Sequence, residues 1–167
     1  MKPKKDTDII LSDATLDDIK TLANHHRRMF KEIWESKGDV LSEGELDALE
    51  KGYTEKLEEQ FVDNTCKSWV VKDGNKIVAS GAITICSFVP TPLDLSHKLA
   101  FFHSLYTEPE SRNRNCANII LKKAVHYCKV NGMKRVLLGA SDAGRPIYQK
   151  VGFKPASDLM RLFIEDE

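Results

Sequence analysis

Two spacings of hydrophobic residues divide the chain into predicted strands and helices. Runs rich in β-branched and aromatic residues, bounded by turn residues, predict strands, which cover residues 9–11, 67–72, 76–86, 99–107, 134–139 and 161–164. Apolar residues at helical spacing predict helices, which cover about twenty residues after Asp13 or Thr15 and residues 42–60, 117–130 and 144–151. Because strands and helices alternate only in part, we expect a mixed α/β sheet rather than a purely parallel one.

Local signals mark the ends of these elements. Ser42 with Glu45 forms a capping box for the second helix, and Asn131 with Gly132 stops the third. Residues 73–75, Asp-Gly-Asn, mark a hairpin turn. We expect the strand at residues 161–164 to close the sheet, and its apolar surface would also be able to pair two chains as a homodimer.

Composition narrows the class of protein. A length of 167 residues fits one domain over residues 1–167. The net charge of zero argues against general nucleic-acid binding. No apolar run reaches the roughly 18 residues of a membrane span, and the charged residues 1–6 do not resemble a signal peptide. We therefore expect a cytoplasmic protein that does not bind membranes.

The four cysteines, Cys66, Cys86, Cys116 and Cys128, form no CxxC pair, so we expect no metal site. They are typical of buried thiols in a reducing compartment. Cys116 lies at a predicted helix start among arginines, a setting that lowers the pKa of a thiol. A packed residue without reactivity is the alternative for Cys116, and we favour it.

A basic stretch stands out in this neutral chain. Residues 111–141 contain no Asp or Glu and seven cations, namely Arg112, Arg114, Lys122, Lys123, Lys129, Lys134 and Arg135. Arg112 and Arg114 lie in a short loop directly before a predicted helix, where backbone N–H groups bind phosphate. The three lysines of that helix fit a solvated basic face equally well.

The segment over residues 105–117, Leu-Tyr-Thr-Glu-Pro-Glu-Ser-Arg-Asn-Arg-Asn-Cys-Ala, resembles the acetyl-CoA-binding motif of the GCN5-related N-acetyltransferases. Arg112 and Ala117 match the family signature of Arg or Gln, two residues, Gly, any residue, then Gly or Ala. Asn113 and Asn115 stand where glycines are usual. Asn is the next most tolerant residue of left-handed backbone, so the loop is able to keep its shape.

Residues 138–153 resemble the end of the same fold, where a short helix closes in a Tyr-x-x-x-Gly-Phe pattern from Tyr148 to Phe153. The resemblance implies a central mixed, mostly antiparallel sheet flanked by helices. It also implies that the sheet is splayed between the strands near residues 105 and 137, where the pantetheine arm of acetyl-CoA enters.

The resemblance implies a set of cofactor-binding positions. The backbone of three strand residues would pair with pantetheine, N–H groups of the loop would hold the pyrophosphate, and further contacts would come from the last helix. The strand residues are Leu105, Tyr106 and Thr107, and the loop residues are Arg112, Asn113, Arg114, Asn115, Cys116 and Ala117. The further contacts come from Ser141 and Tyr148.

The implied chemistry is transfer of acetyl from acetyl-CoA to a primary amine by direct attack in a ternary complex. Tyr148 matches the family's general acid, and a strand N–H near Tyr106 would stabilise the carbonyl oxygen. His103, Glu108 and Asp142 are candidates for the general base, and a water chain is the alternative. His103 has the most suitable reference pKa, about 6.5, and its position two residues before Leu105 would place both on one strand face.

Three further interpretations stay open. An acidic second helix would attract a cationic amine, or it is simply a solvated face. His25 and His26 point to different faces of the first helix, and we interpret them as structural. The domain would otherwise be a catalytically silent acetyl-CoA-binding regulatory module, or a binder of another phosphorylated ligand, although it lacks a Walker pattern.

Overall fold

The computed structural model describes residues 8–167. Its strands are β1 Ile9–Asp13, β2 Cys66–Asp73, β3 Lys76–Ser87, β4 Lys98–Thr107 and β5 Val136–Leu138. Its helices are α1 Ile19–Ser36, α2 Glu43–Val62, α3 Cys116–Val130 and α4 Arg145–Val151, with short 3-10 turns at Leu16–Asp18 and Pro109–Ser111. The order of elements follows the sequence-based prediction closely up to α4.

Five strands form one sheet in the order β1-β2-β3-β4-β5. The first four pair antiparallel, and β5 lies parallel to β4. The prediction of a mixed, mostly antiparallel sheet is therefore confirmed. The tight connection at Gly74, whose φ is +61°, joins β2 to β3 as the turn signal predicted.

The two faces of the sheet carry separate apolar cores. One core packs α3 against the sheet through Trp69, Phe102, Ile120 and Leu121, all at most 1% exposed. The other packs α1 and α2 against the opposite face through residues such as Leu22, Leu57 and Val70. Burial on both faces makes the middle of the sheet rigid enough to position a site.

Capping fixes where the first two helices begin. The Ser42 hydroxyl accepts the N–H of Glu45, while the Glu45 carboxylate accepts the N–H of Ser42 at 2.8 Å. Thr15 and Asp18 form the same reciprocal box before α1. Both capping boxes satisfy N–H groups that a helix start leaves without partners, and the predicted caps at Ser42 and Thr15 are confirmed.

The sheet opens between β4 and β5. The two strands pair only where Ala100, Phe101 and Phe102 face residues 136–138. Strand β4 continues to Thr107, and within residues 8–167 no strand pairs with residues 103–107 on this side. The predicted splay of the sheet lies at this opening.

The antiparallel register between β3 and β4 shifts at Ser104. Ala82 pairs with His103 and Ser80 with Tyr106, which leaves two residues of β4 opposite Gly81. Ser104 adopts a left-handed φ of +58°. A bulge of this kind reverses the alternation of side chains along the strand.

Two predicted strands differ in the structure. The strand predicted at residues 134–139 is only three residues long and half-buried, because the chain leaves the sheet after Leu138. The prediction that residues 161–164 form a strand closing the sheet is wrong for this chain. These residues are exposed and have no regular structure, since no neighbouring strand offers them hydrogen bonds. Of the helices within residues 8–167, none is long and apolar enough to cross a membrane.

Gly81 allows α3 to approach the sheet beside the bulge. A Cβ atom at this position would lie 2.8 Å from Ile120 Cγ2 and 3.3 Å from Leu105 Cδ1. We therefore expect Gly81→Ala to lower the free energy of unfolding by about 1–3 kcal/mol, measured by urea denaturation. The matched control is Gly52→Ala in α2, where the added methyl meets open space. It should raise the free energy of unfolding by roughly 0.5–1 kcal/mol. Equal stability of Gly81→Ala and wild type would contradict this packing.

Candidate functional site

The loop between β4 and α3 has the backbone shape that the motif requires. Asn113 and Asn115 both adopt a left-handed φ of +65°, and Asn115 is the residue at the N-cap of α3. Left-handed backbone is what glycine supplies in such loops, and Asn tolerates it better than other side chains. The two departures from the family signature therefore keep its loop geometry. The loop ends at the start of a 15-residue helix, whose first N–H groups favour an anion.

The two arginines of this loop anchor it to neighbouring elements. Arg112 donates to the Thr107 carbonyl at 3.0 Å and to both Glu32 carboxylate oxygens at 3.0 and 2.7 Å. Arg114 donates to Asp73 at 2.6 Å. The first contact ties the loop to β4 and α1, and the second ties it to the end of β2. Both guanidinium groups thus fix the loop, in addition to the positive charge that they bring to it.

Cys116 is a packed residue. Its side chain is buried, with the thiol directed at the Ser111 carbonyl 3.9 Å away. Burial raises the pKa of the Cys116 thiol, and the nearby Arg114 offsets this only in part. The suggested lowering of this pKa is wrong, because desolvation outweighs the arginine. Among residues 8–167 no group of three metal-binding side chains occurs.

Helix α4 brings Tyr148 against the core beside the opening. The Tyr148 ring meets Phe102 edge-on at 6.3 Å between centroids and Phe153 at 6.0 Å. Burial raises the pKa of Tyr148, so its hydroxyl stays protonated at neutral pH and is able to donate. Ser141 lies just before α4 and accepts the Gly144 N–H at 3.1 Å, which stabilises the turn into this helix.

The three strand residues predicted to pair with pantetheine begin within the bulge, at Leu105. Leu105 packs on the core of the α3 face. Tyr106 is buried on the α1 face, with the Arg28 guanidinium 5.1 Å from its ring centre and its hydroxyl 3.3 Å from Glu32. Thr107 ends the strand. The side chains of Leu105 and Tyr106 pack on opposite faces of the sheet. The backbone edge of these residues therefore faces the opening between β4 and β5.

The bulge places His103 and Ser104 on the same face. His103 meets the Tyr53 ring of α2, and Ser104 bonds to His26 of α1, whereas Phe102 and Leu105 belong to the α3 core. The prediction that His103 shares a strand face with Leu105 is therefore wrong. The extra residue at the bulge, which the sequence does not signal, shifts the alternation by one position.

Ser104 is the centre of a buried hydrogen-bond network. Its hydroxyl lies 2.8 Å from His26 Nδ1 and 2.8 Å from His103 Nδ1. His103 Nε2 lies 2.8 Å from the Thr84 hydroxyl, and the Tyr53 ring packs on both histidines. A hydroxyl donates one hydrogen and also accepts, so Ser104 is able to serve both histidines at once. Ser104, His26 and Tyr53 were not predicted to be neighbours, because they come from three different elements.

Burial keeps the two histidines of this network neutral. It lowers the pKa of His26 to about 4 and that of His103 to about 3, with a smaller contribution from the Lys56 charge. A group with a pKa of about 3 takes up almost no proton near neutral pH. This pKa argues against His103 as the general base and favours a structural task at the bulge.

The other two candidates for the base lie in different surroundings. Glu108 is buried at the end of β4, where Arg28 donates to it at 2.6 Å and His25 Nε2 lies 3.4 Å away. His25 Nδ1 lies 2.8 Å from the Ser80 hydroxyl, and burial lowers the pKa of His25. Asp142 is exposed in the turn before α4. Glu108 therefore anchors α1 to β4.

One guanidinium contacts three carboxylates of the acidic helix α2. Arg27 of α1 donates to Glu43 at 2.5 Å, to Glu50 at 3.2 Å and to Asp47. The contacts hold α1 and α2 together on the same face of the sheet. They also lower the negative charge that this helix would present to an amine, which supports the solvated-face interpretation for these three carboxylates.

The neutral buried histidines make stability sensitive to acid. Their folded pKa values lie below the reference of 6.5, so the unfolded chain binds more protons as the pH falls. Their contribution is complete above about pH 6.5 and is lost toward pH 4–3. Between about pH 7 and 5, we expect the free energy of unfolding to fall by about 2 kcal/mol for each histidine, measured by urea denaturation.

Two His→Asn variants show how much of the acid-induced loss of stability comes from the buried histidines. His26→Asn removes one titrating group and keeps a polar side chain, so it should shrink this loss by about 2 kcal/mol. His126→Asn changes an exposed residue of α3 and should leave the loss as in wild type. A free energy of unfolding that is the same at both pH values would show that these histidines are not buried in neutral form.

Comparison with known proteins agrees with this geometry. Many solved structures share the fold, and two of them serve as examples. A predicted acetyltransferase from Clostridium acetobutylicum, crystallised with acetyl-CoA, is 25% identical, has a TM-score of 0.83 and covers 93% of this chain and 96% of its own. A GCN5-related N-acetyltransferase from Ralstonia eutropha JMP134 is 20% identical, with a TM-score of 0.83 and coverage of 93% and 99%. None of the curated proteins matches the sequence.

The family assignment comes from the sequence as well as from the fold. The model of the acetyltransferase (GNAT) family matches residues 22–153. This range includes α2, all of the strands except β1, the loop with Asn113 and Asn115, and the Tyr148 helix. The chain therefore belongs to the GNAT family of acetyltransferases.

Proposed function

We propose that the protein is an N-acetyltransferase that moves the acetyl group of acetyl-CoA to a primary amine by direct attack in a ternary complex. The observation that carries the proposal is the left-handed backbone at Asn113 and Asn115. It gives the loop before α3 the shape of a pyrophosphate cradle without glycine, at the mouth of the opening between β4 and β5.

The residues present fit acetyl-CoA in two places. Backbone N–H groups from Arg112 to Ala117 would hold the pyrophosphate at the start of α3. The edge of β4 from Leu105 to Thr107, which no strand of the described chain covers, would pair with the pantetheine amides. When bound, acetyl-CoA supplies a thioester carbonyl that an amine is able to attack.

Ser104 sets the backbone geometry next to the reaction. A left-handed serine in a strand is unfavourable unless its surroundings hold it. His26 and His103 lie within hydrogen-bond distance of its hydroxyl, and the Tyr53 ring packs on both histidines. We assign these residues a positioning task. They would fix the bulge, so that N–H groups of β4 near Tyr106 would point at the carbonyl oxygen on which negative charge develops.

Acetyl transfer needs one group that protonates the departing sulfur and another that takes a proton from the ammonium. Tyr148, whose pKa is raised by burial, holds its proton at neutral pH and would give it to the departing sulfur. The ammonium of the acceptor would lose its proton to water at the open mouth of the cleft, because His103 is too weak a base and Glu108 is held by Arg28.

The proposal is tested by measuring turnover of a panel of primary amines in wild type and in Tyr148→Phe. Release of the CoA thiol reports the turnover. We expect this variant to bind acetyl-CoA as wild type does and to lose turnover by roughly a hundredfold or more, because a proton donor is removed. The matched control is Tyr127→Phe on α3, whose ring packs on Trp69. It should keep wild-type turnover.

Two outcomes would change the assignment. Unchanged turnover in Tyr148→Phe would remove Tyr148 from the mechanism and leave the family's acetyl transfer in place. Saturable binding of acetyl-CoA without turnover of any amine would favour the alternative, a catalytically silent acetyl-CoA-binding regulatory module.

A further inference from the structure

The loop between β3 and β4, residues 88–97, presents four large apolar side chains to solvent. The exposed fractions are 47% for Phe88, 63% for Val89, 97% for Leu93 and 79% for Leu95. Single exposed apolar residues are ordinary on a protein surface, whereas a cluster of them in one loop marks a contact site. Leu93 takes almost no part in packing within its own chain, so its apolar surface is available for a contact outside it.

The loop is held in this shape by a buried ion pair. Asp94 is 2% exposed, and Arg135, directly before β5, donates to its carboxylate at 2.6 Å. The backbones of Thr91 and Asp94 also bond to each other in both directions, at 2.8 and 3.0 Å. These contacts bury the one acidic side chain of the loop and leave its neighbours Leu93 and Leu95 directed outward.

Two other elements place exposed apolar side chains at the same end of the sheet. Strands β2 and β4 run antiparallel to β3, and β5 runs parallel to β4, so the end of β3 lies beside the starts of the other three strands. Helix α2 ends at Val62, which is 72% exposed, shortly before β2 begins. Helix α3 ends at Val130, which is 69% exposed, shortly before β5 begins. Apolar side chains from three connections are therefore gathered at this end.

Basic side chains accompany the apolar ones. Lys98 begins β4, Lys129 lies in the last turn of α3, and Lys134 comes shortly before β5, and all three are exposed. Within residues 8–167 the lysines that form ion pairs are others. Between residues 86 and 100 the one acid is Asp94. At the end of α2 the Asp63 carboxylate accepts the backbone N–H of the residue two positions further on. The loop is thus flanked by positive charge.

We propose that this end of the molecule binds the surface of a membrane that contains anionic lipids. The apolar side chains of the loop enter the boundary between headgroups and acyl chains, as the apolar faces of surface-bound helices do. The three lysines contact the lipid phosphates, which attract basic segments at a membrane surface. The lack of a long apolar run in the sequence predicted no membrane binding, but a surface contact needs the side chains of one loop only.

Two features favour a lipid surface over a protein partner. The apolar side chains project from a loop rather than line a groove, and the fluid boundary of a membrane accepts protruding apolar groups without a matched shape. A protein partner would need packing that fits each of them. The lysines nearest to the loop, Lys98 and Lys134, carry charge of one sign. This suits a surface that is negative throughout, whereas protein interfaces place positive patches against negative ones.

The contact leaves the proposed acetyl-CoA site free. The loop at residues 88–97 enters β4 at its first residue, and the loop with Asn113 and Asn115 follows the last one. Ten extended residues separate the two ends by about 30 Å. The opening between β4 and β5 would then face water while the other end touches lipid. Membrane binding is measured without acetyl-CoA or an amine, so this proposal and the proposed acetyl transfer are able to fail separately.

Cosedimentation of the full chain with lipid vesicles tests the proposal. We expect binding to vesicles of phosphatidylcholine with about one-third phosphatidylglycerol, and at least roughly tenfold weaker binding to phosphatidylcholine alone, because the lysines then lose their partners. Added salt should weaken the binding to anionic vesicles.

A substitution at the tip of the loop separates the apolar contribution. Leu93→Asp should weaken binding to the anionic vesicles about tenfold or more, because a charge replaces the inserted side chain. The matched control is Val40→Asp, which changes a residue 84% exposed before the start of α2, at the far end of this 20-residue helix from Val62. It should bind as wild type does. Failure of the wild type to bind anionic vesicles, or a Leu93→Asp variant that binds as wild type does, would overturn the proposal.

A tryptophan at the same position distinguishes insertion from adsorption of the lysines alone. With anionic vesicles, the emission of Leu93→Trp should shift to shorter wavelength and be quenched by lipids brominated on their acyl chains. Val40→Trp is the control, and wild type corrects for Trp34 and Trp69. Binding to vesicles without quenching of Leu93→Trp would show that the loop does not enter the lipid, which contradicts the proposed contact.

Discussion

The structure depends on the way β4 and β5 part. Backbone N–H and C=O groups in a protein interior need partners, and a strand normally finds them on both sides. Strand β4 has β3 along its whole length but meets β5 at three residues only. The remaining edge, residues 103–107, is held open by elements that pack on the faces of the sheet. An open edge inside a folded domain is a place for a ligand with amide groups of its own, which is how the fold and the proposed chemistry are linked.

Keeping that edge in place requires fixed contacts on both sides. On the α3 face, Gly81 lets Ile120 approach within a distance that no side chain would allow. On the α1 face, Ser104 is held by two neutral histidines. Further out, Arg112 ties the loop to Glu32. Apolar packing and a buried polar network thus act on the same ten-residue strand, and an ion pair holds the loop that follows it.

Much of this could be predicted from local sequence signals. Helix starts at Thr15 and Ser42 were given by their capping residues, and the tolerance of Asn for left-handed backbone predicted the shape at Asn113 and Asn115. Local signals did not predict the effects that depend on tertiary packing. The bulge at Ser104 reversed the face of His103, burial outweighed the arginine beside Cys116, and residues 161–164 found no partner strand in their own chain. Each miss concerns an effect set by residues distant in the sequence.

We propose that the loop with asparagines at the glycine positions holds the pyrophosphate of acetyl-CoA. Calorimetric titration with acetyl-CoA tests it most directly, with ATP as the control ligand and two variants at Asn115. We expect saturable binding of acetyl-CoA and no binding of ATP. The affinity should be kept in Asn115→Gly and weakened about tenfold in Asn115→Val, because a β-branched residue resists φ of +65°. Absence of binding, equal binding of ATP, or equal affinity of both variants would contradict it.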